Sequence, residues 1–198
     1  MSKPEIKKKR RNIVVDATGF GTKYYRQWQS VRTKGKKKKK DFVKLHAIAD
    51  DKVPVFLSAV VTKGYYGDSP QFEKLIMRID KSIEIGDVCG DPAYLSRANV
   101  QIVYEKGGVP IIKLKSGITI KAKGFPAWHK MIELARKNPK EYEKRYHRRS
   151  VIEGYFNGLK IRLGNKIRAR RRHNQNIELL SRVIVWNALV LSRYYARR

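Results

Sequence analysis

Three apolar, β-branched segments precede the first helical pattern in this 198-residue chain, and that order excludes most folds. Ile13-Val14-Val15 opens a short buried strand that ends at the carboxylate of Asp16, followed by the small residues Ala17-Thr18-Gly19. Residues 24–32 read as a short extra strand. Segments 42–49 and 53–62 read as an antiparallel hairpin turned at Asp50-Asp51-Lys52. Ser69 then caps a helix with Pro70 in its first turn and Phe72, Leu75, Ile76 and Ile79 as its apolar face. A strand over 87–90 runs into Asp91-Pro92. Ser96 caps a second helix with Val100, Val103 and Tyr104 inward, stopped by Gly107-Gly108, and 109–114 reads as a fifth strand. The remainder is helical: 127–137, a break at Asn138-Pro139, one long helix through Leu163, and a last helix over 176–196.

Strands first, crossovers next and helices last predict an α/β fold with a mixed sheet of five strands flanked by helices and a helical C-terminal part. In such an order the first strand lies centrally beside the fourth, so Asp16 and Asp91 reach the same edge of the sheet. No internal repeat and no hinge linker interrupts the pattern. The expected organisation is a basic N-terminal tail, residues 1–11, and one domain over 12–198.

Charge narrows the partner. Lysine and arginine number 46 against 17 acidic residues, a formal charge of +29, far beyond what folding requires. An excess of this size points to a polyanion, and nucleic acid is the expected one. Cys89 is the lone cysteine, which excludes a disulfide framework and a cysteine-based zinc site. The histidines at 46, 129, 147 and 173 lack metal-ligand spacing. The N-terminal KPEIKKKRR lacks the apolar region of a signal peptide and no run of about 18 apolar residues occurs, so the expectation is a cytoplasmic, nucleoid-associated protein without a membrane segment.

Within this basic chain one carboxylate is out of place. Eleven lysines and arginines lie between Lys144 and Arg172, and Glu153 is the only acid among them. On a continuous helix Tyr146, Arg149, Glu153 and Lys160 fall within roughly 60° of arc, beside an apolar face of Ile152, Tyr155, Phe156, Leu159 and Leu163. Two or three carboxylates suffice to hold divalent ions for phosphodiester chemistry, because magnesium takes oxygen ligands and keeps several waters. Each acid also has a plainer reading. Glu153 can pair with Arg149 along the helix, Asp16 can end a strand, and Asp91 before proline can form a turn. Asp87 competes with Asp91, from the opposite end of its strand.

The segments VVDATG and CGDPAYLS, the spacing Tyr-(2)-Arg-(3)-Glu-(6)-Lys at Tyr146, Arg149, Glu153 and Lys160, and the tail RARRRHNQNIELLSRVIVWNALVL together resemble the DDE transposases of prokaryotic insertion sequences, a branch of the ribonuclease-H-like superfamily. The resemblance spans roughly residues 12–190. It implies that Asp16, Asp91 and Glu153 are catalytic and bind two Mg2+ ions, with Mn2+ as a substitute. It implies that Arg149 and Lys160 hold phosphates of a transposon end and that Tyr146 packs beside them. The implied reaction is hydrolysis at the element ends followed by transfer of the freed 3′-hydroxyl into target DNA, by a homodimer assembled on double-stranded DNA. Two departures from the pattern stand out: about a dozen residues precede the first strand, where these enzymes carry a helical DNA-recognition domain, and no β-rich insertion fits before Glu153. The alternatives are a nuclease or resolvase of the same fold, and a truncated, inactive DNA-binding remnant.

Less specific basic features are expected to contact DNA backbone: the lysine run 36–40, represented by Lys38, and the arginine run 168–172, with Arg170 and Arg171. Lys44 and His46 alternate along their strand and are expected to face DNA, unless they belong to a salt-bridged sheet face. Trp28 and Trp128 suit core packing better than base stacking.

Overall fold

The computed structural model describes residues 10–22, 42–121 and 123–196. The expected strand at 24–32, Trp28 and the lysine run with Lys38 lie outside the described residues. The framework is one sheet built from β1 (Arg11–Thr22), β2 (Phe42–Asp50), β3 (Phe56–Lys63), β4 (Ile85–Gly90) and β5 (Val109–Ile112), in the order β3-β2-β1-β4-β5. The β1–β2 and β2–β3 pairs are antiparallel, whereas β1–β4 and β4–β5 are parallel. A two-residue β6 (Lys166–Ile167) joins the far end of β1 at Gly21 and Thr22, adding a short strand to the expected five among the described residues. This is the mixed ribonuclease-H-like sheet that the resemblance implies.

Sequence explains the central place of β1. Ile13, Val14 and Val15 are all fully buried, and a strand buried on both faces needs an uninterrupted apolar run rather than alternation. The strand does not end at Asp16, as expected, but continues six residues to Thr22. Its antiparallel partner β2 keeps pairing through Phe20 and Gly21, although β4 leaves after the Val15–Gly90 pair. Asp16 therefore sits where one neighbouring strand departs and the other stays.

Helices α1 (Ser69–Met77) and α2 (Arg97–Glu105) are the crossovers that lead into β4 and β5. Helix α3 (Pro126–Lys137) packs on α2 and β5, α4 (Pro139–Tyr146) on β4 and β5, α5 (Val151–Leu163) on β1, and α6 (Arg172–Ala196) on β3 and α5. Ser96 caps α2 as expected, accepting from the Asn99 N–H at 3.1 Å. The cap position of α1 belongs to Asp68 rather than Ser69, and its carboxylate is turned away from the helix toward Lys44. Tyr104, expected inward, is exposed because the α2 end faces Lys130, whose ammonium lies over its ring. Helix α6 begins at Arg172, four residues before the expected start. The expected single helix through Leu163 is broken by a 3₁₀ turn, His147–Ser150, between α4 and α5.

The α5–α6 contact depends on a missing side chain. A Cβ at Gly158 would stand 2.6 Å from Cη2 of Trp186, whose indole N–H is already committed to the Pro54 carbonyl at 2.7 Å. At Gly154, one turn earlier, a Cβ would meet nothing within 4 Å. Gly158→Ala should therefore destabilise the fold by about 1–3 kcal/mol through overpacking. Gly154→Ala should stabilise it by about 0.5–1 kcal/mol through helix propensity alone. Urea unfolding of both variants reads the opposite signs directly.

Candidate active site

The site starts from a register. Val15–Gly90 is the last bridged pair of the parallel β1–β4 ladder, so Asp16 and Asp91 follow side by side on neighbouring strands. Gly90 allows the close approach, because a Cβ there would lie 2.9 Å from Cγ1 of Val15. Beyond Gly90 the chain enters a 3₁₀ turn, Pro92–Tyr94, which Asp91 caps by accepting from the Ala93 N–H at 2.9 Å. Asp16 remains in β1 and accepts from the Ala17 N–H at 2.7 Å. The turn-forming role of Asp91 and its place beside Asp16 are thus both present.

Three arginines dock the helical segment onto this edge. Arg145 donates from Nε to Oδ2 of Asp87 at 2.8 Å and from Nη2 to its Oδ1, and Arg148 reaches Oδ2 at 3.0 Å. Asp87 lies within β4 rather than at its far end, and two guanidinium groups occupy it. Arg149 then spans two acids: Nη1 to Oδ2 of Asp16 at 2.8 Å and Nη2 to Oε1 of Glu153 at 3.0 Å. The intrahelical pairing of Glu153 with Arg149 therefore exists, and the same guanidinium also reaches the sheet.

The 3₁₀ turn revises the helical arithmetic. Tyr146 ends α4, Arg149 lies in the turn, and only Glu153 and Lys160 share α5. A 3₁₀ turn advances about 120° per residue instead of about 100°, so one continuous arc no longer relates all four. Glu153 and Lys160, seven residues apart on α5, keep a common face. Lys160 donates to Oγ1 of Thr18 at 2.6 Å, and its ammonium lies over the Phe20 ring, 5.2 Å from the centroid. Tyr146 is half-buried, with the Lys113 ammonium 5.7 Å from its ring centroid.

Electrostatics follow from this packing. Burial pushes the Asp16 carboxyl above its ordinary value, and the Asp91 and Glu153 charges push the same way. The Ala17 N–H and Arg149 oppose that shift without cancelling it. Burial also lowers the Lys160 ammonium, which has a hydroxyl neighbour instead of a carboxylate.

Oxygen-only donors at one sheet edge have the chemistry that magnesium prefers, and two of these carboxylates already share one cation, the Arg149 guanidinium. Among the described residues no three acidic, histidine or cysteine side chains are gathered tightly enough to chelate a single ion. The donor types suit a divalent ion, while the Arg149 guanidinium takes the place between Asp16 and Glu153 that such an ion would need.

Lys44 and His46 depart from expectation. In the β1–β2 register Ala17 faces His46 and Gly19 faces Lys44, whereas Asp16 and Thr18 face Ala47 and Leu45. Alternation therefore puts Lys44 and His46 on the sheet face opposite the Asp16 carboxylate. Lys44 pairs with Asp68 at 2.8 Å, and His46 is 0% exposed, so His46 cannot face DNA. Nε2 of His46 hydrogen-bonds Oγ1 of Thr62 at 2.8 Å, while Nδ1 lies 3.3 Å from Asp68 but off hydrogen-bonding geometry. Arg170 and Arg171 are exposed in the connector before α6. Trp128 is buried, with its indole N–H on the Thr119 carbonyl at 3.1 Å. Sequence reasoning weighed Asp87 only as a competitor of Asp91 and missed its partners Arg145 and Arg148, and also Thr18. The Arg145–Arg148 spacing, three residues apart in a helical segment, was the available signal for the two arginines.

The transposase DDE domain family model matches residues 7–188. A protein of Archaeoglobus fulgidus, described as "Probable transposase for insertion sequence element ISA1214", is 28% identical over 178 residues, covering 87% of this chain and 51% of that protein. The chain thus spans about half the length of that relative. No solved structure matches it. Among the described residues no helix is long and apolar enough to cross a membrane.

The buried histidine makes a pH prediction. Burial, against the pull of Asp68, lowers the His46 pKa from 6.5 to about 4. A base with a depressed folded-state pKa refuses the proton that the unfolded chain takes up. Its contribution to stability is complete above pH 6.5 and is lost as pH falls toward about 4. The loss should be on the order of 3 kcal/mol. His46→Gln should remove most of this acid sensitivity, measured as the difference between urea unfolding curves at pH 7 and pH 4.5.

Proposed function

The chain belongs to the transposase DDE domain family, and from that premise we propose that it is the catalytic unit of a DNA transposase. In this reading it hydrolyses a phosphodiester at an insertion-sequence end and transfers the freed 3′-hydroxyl into target DNA. The observation that carries the proposal is the Arg149 bridge, which holds Asp16 and Glu153 about one guanidinium beside Asp91 at the open edge of the β1–β4 ladder. A purely structural ion pair would not need a third acid alongside, nor an ammonium on the same helix face at Lys160.

Asp16, Asp91 and Glu153 would hold two Mg2+ ions, with Mn2+ as a substitute. Bound there, the ions would activate the attacking oxygen and offset charge on the leaving one. Lys160, held at Thr18 without a carboxylate partner among the described residues, would donate to a backbone phosphate. Arg149 has two states in this scheme. It bridges the carboxylates in the free protein and turns to a DNA phosphate when the carboxylates take up metal. Tyr146 packs at its flank, and Arg170 and Arg171 contact phosphates further along the duplex without reading sequence. The active assembly is a homodimer on DNA, and the compartment is the cytoplasm, at the nucleoid.

The test is incubation with pre-cut element ends, a target plasmid and Mg2+, together with calorimetry of Mn2+ binding in the absence of DNA. Glu153→Gln should lower joining by about a thousandfold, equivalent to about 4 kcal/mol of barrier, while DNA affinity is unchanged or higher. Arg149→Ala should bind Mn2+ about tenfold more tightly, because a competing cation is gone, yet join fewer ends. Lys160→Ala should weaken end binding and leave Mn2+ binding intact. Joining by Glu153→Gln at the wild-type rate would sink the assignment. Cutting without joining by the wild type would mark a nuclease instead.

A further inference from the structure

We propose that the outer face of α6 is a self-complementary seam through which two copies of this chain pair antiparallel, without DNA. Helix α6 buries Leu179, Val183 and Trp186 against the rest of the fold. Half a turn away lie Ile177, Ser181, Ile184, Ala188, Leu191 and Tyr195, all exposed. Their spacings alternate strictly between four and three residues, the heptad pattern of a helix-pairing seam. In a chain of net charge +29 none of the six is charged. Ile184 and Tyr195 are each 69% exposed and Ile177 is 51% exposed, values that water alone would not favour.

The pattern selects a second copy because it complements itself. Large and small residues alternate in its middle: Ile184 and Leu191 are large, Ser181 and Ala188 small. If two such helices run antiparallel about a two-fold axis beside position 186, Ile184 faces Ala188 of the other copy. Leu191 then faces Ser181 and Ile177 faces Tyr195, since each pair of numbers is symmetric about 186. Every bulky side chain but one pair meets a small one, as knob meets hole. A parallel pairing would set Ile184 against Ile184 and leave Ala188 against Ala188. Antiparallel helices also oppose their macrodipoles and keep the two 168–172 arginine runs apart.

The six seam residues expose roughly 500 Å² per copy, so a pair buries at most about 1,000 Å², the low end for a specific interface and in keeping with a dimer that forms at about 50 µM. For a strongly basic molecule, an uncharged strip is where two copies can approach without bringing cations into contact. This deepens the homodimer proposed above by naming its surface. It does not depend on strand joining, since the test contains no DNA.

Sedimentation equilibrium of the full chain in about 0.5 M salt, where surface charge is screened, should show a dimer at about 50 µM. Ile184→Lys alone and Ala188→Glu alone should each be monomeric, with circular dichroism melts like the wild type because both positions are exposed. Mixing the two variants should restore a dimer, since the antiparallel register sets Lys at 184 against Glu at 188 of the other copy. A wild-type monomer at that concentration would overturn the proposal and assign the face to another part of a longer protein. A dimer that survives Ile184→Lys, or a mixture that stays monomeric, would overturn it as well. Loss of strand joining with the dimer intact would count only against the transposase reading.

Discussion

The row of arginines at 145, 148 and 149 is the interaction on which the site depends. Asp87 and Asp16 stand on the neighbouring parallel strands β4 and β1 and offer carboxylates toward the same helical segment. Arg145 and Arg148 close on the first and Arg149 on the second, so the 3₁₀ turn between α4 and α5 is pinned across the strand pair. These charges are largely withdrawn from water, and removing one partner would leave the other exposed to the full desolvation penalty. Glu153 lies one turn further along, and its position beside Asp16 is a consequence of that docking.

The two faces of the sheet have been put to different uses. On one, Asp16 and Thr18 look toward α5 and meet Arg149 and Lys160. On the other, Lys44, Asp68, His46 and Thr62 form a polar group beneath α1 that satisfies most of its own hydrogen bonds. A neutral, buried imidazole and a paired ammonium are poor phosphate ligands. They are well suited to fix α1 against β2, and this is why Asp68 serves them rather than capping its helix.

Charge is distributed by the same logic. The carboxylates at positions 16, 50, 68, 87 and 178 each hold a lysine or arginine. The excess of cations is left for a polyanion. Against that background the uncharged outer face of α6 has a meaning that a similar strip on a neutral protein would lack. It marks a direction from which like-charged molecules can meet.

Much of this was legible in the residues. The apolar run Ile13–Val15 announced a central strand, and Asp16 and Asp91 were placed at one edge of the sheet because strand order and handedness leave little choice for a strand that returns parallel. Ser96 and Gly107 marked the two ends of α2 through local backbone chemistry, which sequence records directly. What only the tertiary structure decided was where side chains point once segments meet. The length of β1 depended on which neighbour stayed paired, and the facing of Lys44 and His46 on a register that no local pattern reports. The break in the long helix came from long-range bonds to Asp87 and Asp16, 58 to 133 residues away in sequence. Helical periodicity carries information over a few turns. Docking against a distant strand does not appear in it, because the energy that sets it belongs to pairs of residues the chain brings together only by folding.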